Sequence, residues 1–136
     1  MKKYIFPVLL IIALGCSKSD RTNEDASAPT ALANPAITPS QTVLKVSDAL
    51  ARHDSAAYIN LVSANRRRMY ASNPQLLGRT LAFWAMHKPS IQVLSETQHD
   101  SVATVKYRLK IAGAQPVDVT DSTQLFLENG AWKYSR

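Results

Sequence analysis

The chain has 136 residues, of which 46% are hydrophobic and 19% charged, and a formal net charge of +6. That length supports one hydrophobic core, because two would leave each half too small to bury enough surface. Its glycines (Gly15, Gly78, Gly113 and Gly130) are too scattered for a phosphate-cradling loop, which excludes the P-loop and dinucleotide fingerprints. A lone cysteine, Cys16, excludes an internal disulfide framework and any multi-cysteine metal site.

Lys2 and Lys3 form a basic head before the apolar run Tyr4–Leu14. A membrane-spanning helix needs about 20 apolar residues, so this run is too short to span and fits the core of a secretory signal peptide. It ends in Ala13-Leu14-Gly15-Cys16, which resembles the lipobox of bacterial lipoproteins. The resemblance implies cleavage after residue 15 and lipidation of Cys16, the anchor that holds the protein on the cell envelope. Ser17 after the cysteine implies the outer membrane, on its periplasmic or surface side, in a Gram-negative host.

Residues 16–38 change to Ser, Thr, Asn, Asp, Ala and Pro, with Leu32 and Ile37 the only large apolar side chains. Such a stretch cannot bury enough surface to offset its ordering entropy, and reads as a flexible tether. Thr38-Pro39-Ser40-Gln41 is a capping box with proline at the first helical position. Val43, Val46 and Leu50 then share one face at helical spacing. Asp54 is expected to cap a second helix carrying Tyr58, Leu61, Val62 and Met69 as its stripe. Asn73-Pro74 starts a third, whose wide apolar arc of Leu76, Leu77, Leu81, Phe83 and Trp84 predicts cover on more than one side, and Lys88-Pro89 ends it.

Beyond Pro89 the period changes from 3.6 to 2. Ile91 and Val93 open a first strand, and Val105, Tyr107, Leu109 and Ile111 alternate with Lys106, Arg108 and Lys110 in a second. A third strand spans residues 117–127, and Asn129-Gly130 is the preferred pair for a two-residue hairpin. That turn sets Leu127 opposite Trp132 and Leu125 opposite the final tyrosine, Tyr134. Helices first and a meander afterwards predict one α+β domain over 39–136, with the helices packed on a curved antiparallel sheet.

The early amphipathic helix, the Arg52-His53-Asp54 turn and the closing Leu127-Glu128-Asn129-Gly130-Ala131-Trp132-Lys133 hairpin resemble small bacterial lipoproteins of the nuclear-transport-factor-2-like superfamily. The resemblance covers roughly residues 40–136 and implies a cone, a bent sheet wrapped around helices, with a pocket at the wide end. The superfamily includes ketosteroid isomerases, polyketide cyclases and dehydratases. None of their active-site patterns is legible in this chain, so no catalytic residue carries over.

A search for polar groups on inward faces supplies the candidates. If Leu125 and Leu127 face inward, unbroken alternation turns Val117, Val119, Asp121 and Thr123 inward as well. Asp121 is then a general base, a rim residue, or a surface group turned outward by a β-bulge. His87 lies within the third helix's apolar arc, as a pocket histidine or as a partner of the helix's negative end. The pocket-lining candidates are Phe83, Trp84, His87, Tyr107, Asp121 and Trp132. His53 and His99 stand beside aspartates in turns, and three histidines without short spacing make no metal site. Arg66-Arg67-Arg68 fans around its helix, and reads as a solvated face or as a contact for an anionic surface. Lys106, Arg108 and Lys110 form a second basic stripe open to the same two readings.

These readings converge on a lipid-anchored envelope protein whose domain binds a small apolar or amphipathic ligand, or a protein partner. The alternative is an isomerase-, cyclase- or dehydratase-like enzyme using His87 or Asp121 with Tyr107. No cofactor is implied, export removes nucleic acid as a partner, and a homodimer through the sheet face is the remaining expectation.

Overall fold

A computed structural model describes residues 35–136, so the leader, Cys16 and the tether up to residue 34 lie outside the described residues. Thr38 caps the first helix, α1 (Pro39–Ala51), as the capping box predicts. Its hydroxyl accepts from the Gln41 N–H at 3.2 Å, and the Gln41 side chain accepts from the Thr38 N–H at 2.9 Å. Val43, Val46, Ala49 and Leu50 form the buried face. Among the described residues no helix is long and apolar enough to cross a membrane.

The expected second helix is two. α2 (Ser55–Leu61) starts on Asp54, whose carboxylate accepts from the Ala57 N–H at 2.9 Å. It stops because Val62 is extended (φ −89°, ψ 156°), and Ser63 caps a new helix, α3 (Ala64–Ser72). The break is held from across the fold: the Ser63 N–H donates to the Tyr134 carbonyl at 2.8 Å, and Val62 bridges Tyr134 in parallel. Both Glu128 oxygens accept from the Ala64 N–H, at 3.1 and 3.0 Å, placing a carboxylate at the start of α3.

α4 (Pro74–His87) starts at proline, although Asn73 makes no side-chain cap, and ends on Lys88 in the left-handed region. The expected cover on more than one side is corrected: Leu81 is its only buried residue, while Phe83 and Met86 are 45% and 76% exposed. This helix packs against α1 and α3 on one side, and Phe83 lies on the open side.

Four strands follow: β1 (Ser90–His99), β2 (Val102–Ile111), β3 (Val117–Glu128) and β4 (Ala131–Tyr134). They form an open antiparallel meander in the order β1-β2-β3-β4. The register slips between Val93 and Ser95 in β1, whereas β2 and β3 pair without interruption from Val102–Phe126 to Ile111–Val117. Asn129 (φ 51°) and Gly130 (φ 75°) make the tight turn, and Leu127–Trp132 and Leu125–Tyr134 are paired as the hairpin predicts. Two cores result. One joins the helices through Val46, Leu50, Tyr58, Val62, Tyr70 and Leu81, and the other sets Val43 against Ala103, Val105, Tyr107, Leu125 and Trp132 of the sheet.

Candidate functional site

A cavity of about 220 Å³ opens at the seam between the two cores. Val43, Val46 and Leu50 of α1, Phe83 and Trp84 of α4, and Ile91 and Leu109 of the sheet give it apolar walls. Its polar lining comes from Tyr58, Arg66, Thr80, Tyr107, Asp121, Tyr134 and Arg136. Apolar walls joined to converging polar groups are the makeup of a small-ligand site, here more polar in its residues than most and below the usual volume of roughly 300–1,000 Å³.

The uninterrupted β2–β3 register keeps Asp121 in phase with Thr123 and Leu125, directly opposite Tyr107. No bulge turns it outward. It lies at the rim, its side chain 39% exposed, in an ion pair with Arg136. The Ser122 N–H donates to its other oxygen at 2.8 Å. That backbone donor, and after it Arg136, holds the Asp121 carboxyl below its ordinary range. The same Arg136 nitrogen donates to Tyr107 Oη at 3.4 Å and to the Ser122 carbonyl at 3.3 Å. Burial raises the pKa of Tyr107, the Asp121 charge adds to that, and Arg136 offsets part of it. Burial also pushes Tyr134 up to about 12.

A second polar group stands on the helical wall. Tyr58 and Tyr70 share a hydrogen bond of 2.7 Å between their hydroxyls, with their rings 5.8 Å apart and tilted by 57°. Burial first, and the Tyr70 hydroxyl second, push the Tyr58 pKa strongly upward. Arg66 Nε donates to Tyr70 Oη at 3.1 Å, and the guanidinium carbon lies 5.1 Å from the centre of the Tyr70 ring.

Among the expected lining residues, Phe83, Trp84, Tyr107 and Asp121 meet at this cavity. His87 does not: it is exposed, stacks on Phe83 with ring centres 4.7 Å apart, and lines an adjoining surface groove with Leu109, Ile111 and Val117. Trp132 is not on the wall either; it fills the sheet core at 1% exposure. His53 is an exposed turn residue, whereas His99, expected in a turn, is the exposed last residue of β1, paired with Val102, and no group of three metal-ligating side chains forms among the described residues. The solvated reading of the arginine run needs correction, because the break at Val62 resets the helical phase. Arg66 lines the cavity, Arg67 donates to the Val62 carbonyl at 2.9 Å and pairs with Glu128 at 3.6 Å, and only Arg68 lies fully on the surface. Arg108 and Lys110 of the second basic stripe share Asp118, at 2.8 and 4.0 Å. Sequence reasoning missed Arg66, Tyr58 and Arg136 as cavity residues. The four-residue spacing of Arg66 and Tyr70 was the available signal.

The geometry decides the fold when set beside known structures. The chain is similar to a SEC-C motif containing protein from Rhodopseudomonas palustris, at 17% identity over 73% of this chain and 76% of that one, with a TM-score of 0.61. It is similar to a protein named as a calcium/calmodulin-dependent protein kinase type II association domain from Thiobacillus denitrificans, at 9% identity over 71% and 89% of the two chains, with a TM-score of 0.55. A substituted form of a protein named Rd1NTF2_05 matches at 10% identity over 70% and 90%, also with a TM-score of 0.55. The fold is nuclear-transport-factor-2-like. No protein-family model matches the sequence, and no curated protein matches it. At these identities the likeness extends to the nuclear-transport-factor-2-like fold, its helices and its open sheet, and to nothing beyond it.

Proposed function

We propose that this protein is a lipid-anchored component of the cell envelope whose cone holds a small amphipathic ligand without transforming it. The observation that carries the binding reading is the cavity at the seam of the two cores, with apolar walls from α1, α4 and the sheet and polar groups on both sides. Support for a non-catalytic role comes from Asp121. A carboxylate ion-paired with Arg136 and held below its ordinary pKa is a weak proton acceptor. His87, the other acid–base candidate, stands outside the cavity. The isomerase-, cyclase- or dehydratase-like alternative therefore has less support than binding. The anchoring reading rests on the apolar run ending at Cys16.

Native mass spectrometry of the full chain purified from membranes tests the binding reading. The expected result is a co-purified small molecule that denaturation releases; a bare chain whose Trp84 emission ignores small amphiphiles overturns it. Labelling with a palmitate analogue tests the anchor. Label on the wild type that disappears in Cys16→Ser is expected, and equal label on both sinks the proposal.

A further inference from the structure

Two guanidinium groups line the cavity, and they differ in one respect. Arg136 already has its carboxylate, Asp121. Arg66 has none among the described residues: its Nε is held by Tyr70, and its two terminal nitrogens meet no carboxylate or carbonyl. Its neighbours in the arginine run are engaged elsewhere, Arg67 with Glu128 and Arg68 with Asn65 at 2.8 Å. The cavity lining therefore carries one uncompensated positive charge beside apolar walls.

The geometry points to a ligand with a single carboxylate head and a short apolar body, the head taken by Arg66 and the body by Val43, Val46, Leu50, Phe83 and Trp84. This rests on the binding reading above and adds the chemical class of ligand. A half-buried guanidinium is stabilised by an anion more than a solvated one is, because the surrounding apolar atoms screen the attraction poorly. Arginine offers a planar fork that matches a carboxylate with two parallel hydrogen bonds. Here the fork is held in advance: Tyr70 takes Nε and lies against the guanidinium face, which reduces the side-chain ordering that binding would otherwise require. Tyr70 is in turn fixed by the buried Tyr58 hydroxyl at 2.7 Å. The volume of about 220 Å³ limits the enclosed body to a short chain or a single ring.

The test uses the full chain in lipid nanodiscs, with empty nanodiscs as the blank, and compares hexanoate with its neutral counterpart hexanamide by calorimetry. The wild type is expected to prefer hexanoate by roughly tenfold, the usual size of a charge-assisted pair. Arg66→Gln should abolish that preference while keeping its affinity for hexanamide, and Arg79→Gln, on the exposed side of α4, should keep the preference. Equal affinity for the two probes in the wild type, or a preference that survives Arg66→Gln, overturns the inference and leaves the binding reading standing. A cavity that takes neither probe overturns both. A measurement on the wild type covers the case in which Arg66→Gln fails to fold. Saturating hexanoate should slow modification of Arg66 by phenylglyoxal several-fold, read by peptide mass spectrometry, and hexanamide should not. Equal protection by both, or by neither, overturns the inference.

Discussion

Trp132 is 1% exposed in the sheet core, and its indole N–H has no partner among the described residues. An unsatisfied buried donor costs roughly 1–3 kcal/mol, so the ring's burial must outweigh a standing penalty. Trp132→Ala should therefore destabilise the domain by about 3–5 kcal/mol, as for other large aromatics truncated in cores. Trp132→Phe should lose clearly less, because it sheds the orphan donor along with the volume. Urea unfolding followed through Trp84, the remaining indole, measures both. Asp121 makes a prediction of opposite character. Its carboxyl is held low in the folded state, so it contributes stability above the ordinary carboxylate pKa, and that contribution is lost as pH falls through the lowered folded value. Asp121→Asn should flatten the acid side of the stability profile, and equal acid slopes in both proteins would contradict the assignment. At this scale the sequence pattern identified Tyr107 and Asp121 because strand alternation is insensitive to small errors in element ends. It missed Arg66 because a helical face depends on where the helix begins.

That dependence is an effect of the elements. Residues 54–69 carry an apolar stripe compatible with one helix, and the tertiary hydrogen bonds that the Ser63 and Ala64 N–H groups donate to Tyr134 and Glu128 hold the chain in its break at Val62 and Ser63. Ser63 is the legible clue, a good capping residue whose hydroxyl oxygen accepts from the Arg66 N–H three places later. Ser63→Ala should cost about 1 kcal/mol, and it should also weaken the cavity's helical wall, since Arg66 and Tyr70 both ride on α3. The closing hairpin is legible in the sequence down to its pairs because its turn chemistry is local. Gly130 sits at φ 75° with nothing near its missing Cβ, so Gly130→Ala should cost about 1 kcal/mol from backbone strain alone. Thermal unfolding of the two variants checks both figures. A loss for Gly130→Ala well beyond that would mean the turn carries contacts that its geometry does not display.

Across the whole domain, the seam between two cores matters more than either core. A single continuous core would leave no room for a cavity, and the helical and sheet clusters instead leave a gap lined from both. Three tyrosines border that gap, and burial raises the pKa of each, that of Tyr134 to about 12. Their contribution to stability is complete below pH about 10 and is lost as pH rises toward 12, because the unfolded phenols ionise first. Chemical denaturation across that window should show the decline, and Tyr134→Phe should reduce its slope. The wide apolar arc of α4 shows what sequence pattern leaves open at this scale. It reports which residues could be covered, while Phe83 and Met86 remain exposed because no further layer among the described residues packs on them.

The ties between the last strand and the α2–α3 junction also set the order of assembly. Lys133 reaches the Asn60 carbonyl at 2.7 Å across 73 positions of sequence, and the Ser63–Tyr134 bond spans a similar distance. Loops of that length close late and slowly, because their entropy is spent before the contacts reward it. Helical structure should thus appear before the cavity does in stopped-flow refolding, with circular dichroism leading Trp132 burial. Any ligand would then meet a cavity that is completed only when β4 docks, so binding to the complete site follows the last folding step and cannot precede it.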